Sequence, residues 1–427
     1  MKSITGMLSA IAMVLFLNFN GIAGTGDVGW MKTAKYGVFM HYQYRICLGY
    51  STAAANPMPT QFPPAGMMTA QGWNHIVDAF DVTGFAAQMV QAQVGWVTFC
   101  IDDHYFAWPC SPNSKFSSYT GYAPGQKCSN RDLILDLANA LNAKGIKLIC
   151  YFAGLNGYMK EPQVSAGLAD GAWRGNWNET SPPPAESRKR RLEVLKEYAD
   201  RWGTKIAGWW FDGMETNTYS GSPNNWQTLD SIVHHGNPHA GIAFSYGPNE
   251  QACVAPGVDD YTGGDTWSPV DLTHFTPSWK PAQNNILWHG KIYCGNIYHG
   301  LGTANQYSDQ QLITWIKTVS TQGGVCTLDW PFDTSNGHIK NFGIQQMINV
   351  GIGVKGVVSE NQPLRVNGVR AVPRNGLSIY PGGRNSAVMT GSTAVFDIRG
   401  RALEKVLGVY GRAPSTGVYW VQHDPSP

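Results

Sequence analysis

The chain has 427 residues, a formal net charge of +2, and a composition that is 14% charged and 12% aromatic. This balance does not favour a nucleic-acid partner, because Lys and Arg are spread along the chain. The one basic cluster, at 188–191, stands beside several Glu residues and is interpreted as a solvated helix face. The length suits one large domain plus a small appendage, and the many aromatic residues suit sugar substrates, whose apolar faces stack on rings.

The amino terminus is typical of a secretory signal peptide. Lys2 gives a positive start, residues 7–19 form a short apolar core, and small residues follow up to Gly24. The apolar run is too short for a membrane span, and no other segment approaches the roughly 18 apolar residues that a span requires. We therefore expect residues 1–24 to be removed and the mature protein to be secreted or periplasmic, without membrane association.

Short apolar runs alternate with amphipathic segments over most of the chain, which predicts parallel strands joined by helical crossovers. Strands are predicted at residues 36–42, 95–101, 146–153, 206–211, 241–246, 261–265, 286–294 and 324–330. Helices are predicted at residues 85–92, 132–144, 187–202, 226–233, 309–321 and 339–350. About eight such units favour an α/β fold of the (β/α)8 TIM-barrel type over an open doubly wound sheet.

The barrel is expected to span residues 25–353. No glycine-rich phosphate fingerprint follows the first strand, so no nucleotide cofactor is expected. Beyond residue 353, short β-like runs broken by Gly, Pro and Asn predict a small β-rich appendage at 354–427. The stretches 49–74 and 160–184 are interpreted as loops on the side of the barrel that builds or covers a substrate site.

Eight cysteines in an exported chain can form disulfides. Cys110 and Cys128 flank a polar loop and are the best candidates for one bridge. Cys100, Cys150 and Cys326 lie in apolar strand-like runs and could equally be buried thiols. Because no CxxC pair or His–Cys cluster has the spacing of a structural zinc site, no metal is expected.

The run 208–213, Gly-Trp-Trp-Phe-Asp-Gly, ends an apolar strand in a carboxylate. An unpaired Asp is costly in a buried strand, whereas at the carboxyl end of a barrel strand Asp212 would face the substrate pocket. The alternative is that Asp212 caps the next helix or turns the chain. Further polar residues end or follow predicted strands and mark a candidate active site, namely His41, Asp102, Asp103, His104, Glu250 and Asp265.

Three ordered motifs carry a resemblance to a known family. Residues 30–41 are Trp-Met-Lys-Thr-Ala-Lys-Tyr-Gly-Val-Phe-Met-His, residues 210–213 are Trp-Phe-Asp-Gly, and residues 323–331 are Gly-Gly-Val-Cys-Thr-Leu-Asp-Trp-Pro. They resemble three motifs of the α-L-fucosidase family of retaining glycoside hydrolases. These are the first strand, with Ala-Lys-Phe-Gly-Ile-Phe-Ile-His-Trp-Gly, the nucleophile motif, and the last strand, with Gly-Gly-Asn-Leu-Leu-Leu-Asn. The segment 106–109, Phe-Ala-Trp-Pro, is similar to the aromatic segment after that family's second strand.

The resemblance implies hydrolysis of an α-L-fucoside or a related sugar through a covalent intermediate on Asp212. Such a retaining reaction needs a second carboxyl group roughly 5 Å away, which protonates the leaving oxygen and later activates water. Part of the family places this acid/base in a Gly-Asn-Glu segment, which Gly-Pro-Asn-Glu at 247–250 resembles, so Glu250 is the predicted acid/base. The carboxyl groups of Asp259, Asp260 and Asp265 are further options.

The resemblance also implies sugar contacts. His41 matches the histidine that bonds sugar hydroxyls in the family, and the alternative is a structural histidine at a strand end. Trp108 and Trp210 could stack on the sugar, with core packing as the alternative for Trp210.

Two segments depart from the family pattern. His-Trp-Gly after the first strand is His-Tyr-Gln at 41–43, and His-His-Asp-Gly-Phe after the second strand is Asp-Asp-His-Tyr-Phe at 102–106. In the family these residues contact the sugar, so Asp103 and His104 are candidate substrate-binding residues and the identity of the sugar stays open. A metal at 102–104 is disfavoured, because three adjacent side chains rarely all face one ion.

Three functions are consistent with these motifs. The first is an exported retaining glycosidase that acts on an oligosaccharide, polysaccharide or glycoconjugate. The second is a carbohydrate-binding barrel without catalysis, which the altered segment 102–106 motivates. The third is an endo-acting hydrolase of a fucan-type polysaccharide, which an open cleft in place of a closed pocket would distinguish from the first.

Overall fold

The computed structural model describes most of the chain in separate segments. These are residues 26–47, 70–102, 108–152, 185–212, 226–245, 257–265, 286–297, 300–356, 377–380, 393–396, 402–406 and 419–423. The chain divides into two compact units, Met1–Val354 and Lys355–Pro427. The predicted signal peptide, the predicted loop 160–184 and most of the predicted loop 49–74 lie outside the described residues.

Seven parallel strands form the main sheet. They are β1 Tyr36–Met40, β2 Trp96–Cys100, β3 Lys147–Phe152, β4 Gly208–Phe211, β5 Gly241–Phe244, β6 His289–Tyr293 and β7 Val325–Asp329. Their order is β5-β4-β3-β2-β1-β7-β6. Apart from Lys147, their residues are buried, which explains why the strands read as continuous apolar runs rather than alternating ones.

A short segment joins the two outer strands of this sheet. The Asp260 N–H donates to the Ile242 carbonyl at 2.8 Å, and the Thr262 N–H donates to the Leu287 carbonyl at 3.0 Å. The seven strands therefore form a curled sheet whose edges are bridged, consistent with a TIM-like barrel. The predicted sixth strand, 261–265, is reduced to one isolated bridge between Tyr261 and Leu287.

Gly264 explains why that segment does not continue as a strand. Its φ of +59° is left-handed, and an added Cβ would lie 2.1 Å from the His289 carbonyl oxygen. The backbone therefore leaves the extended conformation there and passes close to β6 in a way that only glycine allows without strain.

Ten helices are described. They are α1 Gly29–Ala34, α2 Tyr44–Cys47, α3 Ala70–Asp78, α4 Val82–Gln91, α5 Ser114–Thr120, α6 Leu133–Asn142, α7 Ala185–Trp202, α8 Trp226–Gly236, α9 Asp309–Thr321 and α10 Asn341–Lys355. Side chains cap several of them: Asp81 begins α4, Asp132 begins α6, and Ser308 with Gln311 forms a capping box at α9.

The six predicted helices are present, with ends that differ by up to five residues. The predicted loop 49–74 is wrong at its end, because α3 begins at Ala70. Helix α5 was not predicted, although Asn113 caps its start by accepting the Phe116 N–H and Gly121 ends it in a left-handed conformation. Both are recognised helix signals, so α5 could have been read from the sequence.

Two apolar clusters fill the main unit. One packs the outward side chains of the strands against the helices. The other lies on the inner face of the curled sheet and includes Phe39, Trp96, Tyr151 and Trp210, which come from four adjacent strands. Gly37 makes room for this inner cluster, because a Cβ there would lie 2.2 Å from the Trp96 ring.

The second unit contains four strands, β8 Leu377–Tyr380, β9 Thr393–Phe396, β10 Ala402–Val406 and β11 Tyr419–His423. They pair in antiparallel fashion in the order β10-β9-β11-β8.

The expected disulfide between Cys110 and Cys128 is not formed, and both residues are buried free thiols. Each packs in the outer apolar cluster, and Cys110 Sγ–H donates to the Cys100 carbonyl at 3.6 Å. Burial raises the pKa of both thiols, which keeps them protonated and unreactive. Cys100, Cys150 and Cys326 are also buried thiols, the alternative that the sequence left open. No helix within the described part of the chain is long and apolar enough to cross a membrane.

Candidate functional site

Asp212 lies at the carboxyl end of β4, where its backbone N–H donates to the Phe152 carbonyl at 3.1 Å and extends the pairing with β3. The residue is 7% exposed, and its side chain accepts a hydrogen bond of 2.5 Å from the Tyr151 hydroxyl. Burial, and then the nearby Asp212 charge, raise the pKa of Tyr151 well above its usual value. The phenol therefore keeps its proton and acts as the donor, and Asp212 is the carboxylate that it stabilises.

His41 follows β1 and pairs with Asp329, the last residue of the neighbouring strand β7. His41 Nδ1 lies 2.6 Å from Asp329 Oδ2. Burial raises the pKa of Asp329 to about 8, and the positive charge of Lys291 opposes this shift. The His41 ring packs on Phe39, with centroids 4.5 Å apart, and stacks on Tyr293 at 5.7 Å.

Lys291 is a buried cation on β6. Its Nζ donates to Asp265 Oδ1 at 2.8 Å and to the Tyr293 hydroxyl at 2.7 Å. The Phe39 ring centroid lies 4.6 Å from the same nitrogen, so an aromatic face adds to its stabilisation. A lysine can be buried here because a carboxylate neutralises its charge and hydrogen bonds replace its water.

Asp265 lies within electrostatic reach of the other charged groups of the site. Burial raises its pKa, Lys291 lowers it, the Asp212 charge raises it and the His41 charge lowers it. Asp212, Asp265, His41 and Lys291 therefore form one cluster at the carboxyl ends of the strands. This is the face on which barrel enzymes build their active sites.

Trp210 belongs to the wall of this cluster. Its ring stacks on Tyr151 at a centroid distance of 5.3 Å, and its Nε1–H donates to the Gly263 carbonyl at 3.0 Å. Its residue exposure is 2%, so core packing accounts for the contacts that are described. A stacking role on a sugar stays a prediction.

Trp108 packs in a different place from Trp210. It is part of the outer cluster, where its ring stacks on Tyr44 at 4.6 Å with an interplanar angle of 3°. The Lys127 ammonium lies 4.0 Å from the centroid of the same ring. These contacts, together with its 5% exposure, leave little of the ring for a sugar. The structure does not bring Trp108 into the cluster around Asp212.

The remaining predicted residues divide into two groups. Glu250, Asp103 and His104 lie outside the described residues, so their predicted roles stay predictions. Two further acid/base options serve the fold, because Asp259 Oδ1 accepts the Phe244 N–H and Asp260 Oδ2 accepts the Ile242 N–H, both at 2.9 Å. Of the three carboxyl groups considered for the acid/base that lie in the described residues, Asp265 is the one whose pKa responds to the charge of Asp212.

Sequence reasoning missed four residues of the site: Tyr151, Lys291, Tyr293 and Asp329. Lys291 left a signal, since it is a lysine inside the apolar run 286–294. Asp329 left one too, since it ends the last strand as Asp212 ends the fourth. The two tyrosines look like ordinary members of apolar strands. Within the described segments, no group of three His, Cys, Asp or Glu side chains is placed to hold a metal ion.

The cluster offers chemistry suited to group transfer. Asp212 is a hydrogen-bonded carboxylate, which is a type of group capable of nucleophilic attack, and the buried carboxyl group of Asp265 has a pKa displaced upward. Pairs of carboxyl groups in unlike environments are the usual basis of acid and base roles at one pH.

No protein-family model and no curated protein matches the chain. Solved structures do match it. A variant of endo-fucoidan hydrolase MfFcnA4 from glycoside hydrolase family 107 aligns with a TM-score of 0.57 at 17% identity, over 93% of this chain and 64% of that one. Endo-fucoidan hydrolase MfFcnA9 from the same family aligns with a TM-score of 0.56 at 18% identity, over 93% of this chain and 76% of that one.

An α-L-fucosidase also shares the fold. Unliganded AlfC from Lactobacillus casei aligns with a TM-score of 0.51 at 17% identity, over 76% of this chain and 97% of that one. A variant of AlfC in complex with Fuca(1,6)GlcNAc aligns with a TM-score of 0.52 at 19% identity, over 78% of this chain and 97% of that one. The chain thus spans less than two thirds of MfFcnA4 but nearly all of AlfC, and its fold is the one found in fucose-acting glycoside hydrolases.

Proposed function

We propose that this protein is a retaining glycoside hydrolase on a (β/α)8 barrel that acts on an α-L-fucoside or a related sugar. The observation that carries the proposal is the position of Asp212, a carboxylate at a strand end that accepts a 2.5 Å hydrogen bond from a buried tyrosine. In the first step Asp212 attacks the anomeric carbon, the leaving oxygen takes a proton from the acid/base, and a glycosyl ester forms. In the second step water attacks the ester and the acid/base recovers its proton.

Two carboxyl groups compete for the acid/base role. Glu250 is the candidate from the motif resemblance. Asp265 is favoured by its place in the cluster, because its ionisation responds to the charge of Asp212 and its pKa is raised. Lys291 favours the ionised form of Asp265, which would suit the base that activates water in the second step. A second carboxyl group within electrostatic reach of Asp212 favours a hydrolase over a carbohydrate-binding barrel without catalysis.

An endo-acting hydrolase of a fucan-type polysaccharide is the second candidate function. The alignment with the endo-fucoidan hydrolases over 93% of this chain favours it. The two functions separate on one substrate, since an endo-acting enzyme lowers the mean size of fucoidan early in the reaction, whereas an exo-acting one releases monosaccharide first. In either case the partner is a saccharide met outside the cell, as the predicted signal peptide implies.

The test is hydrolysis of a panel of aryl glycosides, led by an aryl α-L-fucoside, by the wild type and by Asp212→Ala. We expect the variant to lose the activity by a factor of about 10⁴ or more, since the covalent route is removed. Added azide should restore turnover and yield the β-fucosyl azide, because azide attacks the anomeric carbon from the side that the carboxylate vacated. The control is Asp200→Ala, an exposed carboxylate paired with Lys196 far from the site. Unchanged hydrolysis by Asp212→Ala would show that Asp212 is not the nucleophile.

A further inference from the structure

His41 and Asp329 form a short and buried hydrogen-bonded pair. Its 2.6 Å separation is that of a charge-assisted hydrogen bond, and the two side chains are 4% and 0% exposed. The strands that carry them are hydrogen-bonded neighbours, with Phe39 opposite Asp329 in the register. The position of the His41 ring is thus fixed by its own strand, by the next strand and by a short polar bond.

Charged and titratable groups face this pair from several strands. Lys291 and Tyr293 approach from β6, Tyr151 approaches from β3 with its ring centroid 6.2 Å from that of His41, and the charges of Asp212 and Asp265 lie in the same cluster. Lys291 is the one cation among these groups, and its Nζ is bonded to Asp265. Within the described segments, the surroundings therefore contain more carboxyl groups than fixed positive charges.

The pair can hold one proton or two. The first lies in the bond between Nδ1 and Oδ2, and the second sits on Nε2, the ring nitrogen on the opposite side of His41. With two protons the pair is neutral overall, whichever atom holds the first, and with one proton it is negative. A buried position among other carboxylates disfavours the negative state, so the pair retains its second proton to a higher pH than an isolated imidazole would. The raised pKa of Asp329, about 8, agrees with this reasoning.

We propose that Asp329 is a positioning residue that holds His41 with Nε2 protonated at neutral pH, so that Nε2–H donates to an oxygen of the substrate. The proposal rests on the proposed function for the nature of that oxygen, which belongs to a sugar. It also gives a meaning to one sequence difference, because the last-strand motif of the resembling family ends in Asn where this chain has Asp329. An amide can bond to Nδ1, but it supplies neither a negative charge nor a proton site.

The test compares the pH dependence of kcat/KM for an aryl α-L-fucoside in the wild type, in Asp329→Asn and in a matched control. For the wild type we expect kcat/KM to fall on the basic side of the profile, as the second proton leaves. For Asp329→Asn we expect this basic limb to move to lower pH by about 1 unit, with kcat/KM at the optimum reduced about 10- to 100-fold, as when a residue that orients a functional histidine is lost.

The control is Asp81→Asn, which alters a second His–Asp pair at the surface, where Asp81 Oδ2 lies 2.9 Å from His338 Nε2. We expect its pH profile to match that of the wild type. If Asp329→Asn lowers kcat/KM by a constant factor and leaves the basic limb in place, Asp329 is merely structural and the proposal is overturned.

A second measurement covers the case in which Asp329→Asn does not fold. In wild-type protein carrying 15N-labelled histidine, with the His41 signals assigned by their loss in His41→Gln, we expect Nε2 to be protonated at pH 7. An unprotonated Nε2 at that pH would overturn the proposal. This result is independent of turnover: if the wild type cleaves no fucoside the proposed function fails, while the protonation of His41 is still decided.

Discussion

The hydrogen bond from Tyr151 to Asp212 can be abolished by deleting a single oxygen atom. Tyr151→Phe deletes the hydroxyl and keeps the ring, which packs on Trp210 and Phe39 in the inner cluster. The substitution therefore tests the bond without opening a cavity. It leaves a buried carboxylate that has lost a donor, and such a carboxylate is harder to ionise and freer to rotate.

The expected magnitude follows from the kind of bond. A hydrogen bond to a charged group contributes about 1.5 to 3 kcal/mol, and each 1.36 kcal/mol is tenfold in rate. If the bond orients Asp212 for attack, we expect Tyr151→Phe to lower kcat/KM by about 10- to 150-fold. The sign of the pH effect is also fixed. Asp212 without its donor is ionised only at higher pH, so the acid limb of the kcat/KM profile moves upward.

The assay is steady-state hydrolysis of an aryl α-L-fucoside between pH 4 and 8, with thermal unfolding of the same samples. Tyr261→Phe is the matched control, because Tyr261 is also a buried tyrosine of the inner cluster, but its hydroxyl donates to the Trp209 carbonyl at 3.0 Å. That variant should lose about 1 kcal/mol of stability and keep kcat/KM within about twofold. Equal kcat/KM values for Tyr151→Phe and Tyr261→Phe would refute the reasoning.

Two predictions concern stability. Burial lowers the pKa of His289 to about 4, below its unfolded value of about 6.5, so its contribution to stability is complete above pH 6.5 and is lost as the pH falls toward 4. Between pH 7.5 and 4.5 the free energy of unfolding should fall by about 2.5 kcal/mol more in the wild type than in His289→Gln, as measured by urea titration. If both proteins lose the same free energy of unfolding over this range, His289 is not held neutral. Gly264→Ala should lower the free energy of unfolding by well over the roughly 1 to 2 kcal/mol of a left-handed alanine, because its Cβ also meets the His289 carbonyl. The control Gly121→Ala should lose only that amount, because Gly121 has a φ of +71° and nothing lies within 4 Å of its added Cβ. Similar Tm values for the two variants would contradict this.

The strand pattern could be predicted because the main strands are buried on both faces and end in polar residues. Asp212 could be singled out on this ground, because a carboxylate directly after Gly-Trp-Trp-Phe is costly in a buried strand, although a helix cap or a turn was the alternative. The sixth strand was overpredicted because the local sequence of 261–265 does not reveal the conformation of Gly264, whose left-handed backbone accompanies the close approach to β6. Periodicity cannot show that a contact with a distant strand will override a local extended preference.

Tyr151, the hydrogen-bond partner of Asp212, could not be predicted for a different reason. Tyr151 and Trp210 come from adjacent strands, and only the register of β3 and β4, in which they lie opposite each other, brings them together. The disulfide predicted between Cys110 and Cys128 was wrong because, although their neighbours in the sequence are polar, both thiols point into the apolar core. In each case the missing information was the pairing of segments far apart in the chain.

The junction between β5 and β6 has a consequence for how this protein can vary. The outer backbone edge of β5 is covered by the segment 257–265, in which the Asp259 and Asp260 side chains accept the N–H groups of Phe244 and Ile242 as a neighbouring strand would. These two carboxylates seal a strand edge that could otherwise recruit a foreign strand and aggregate. Positions 259 and 260 should therefore tolerate little variation, because the loss of either carboxylate leaves an N–H group of β5 without this acceptor.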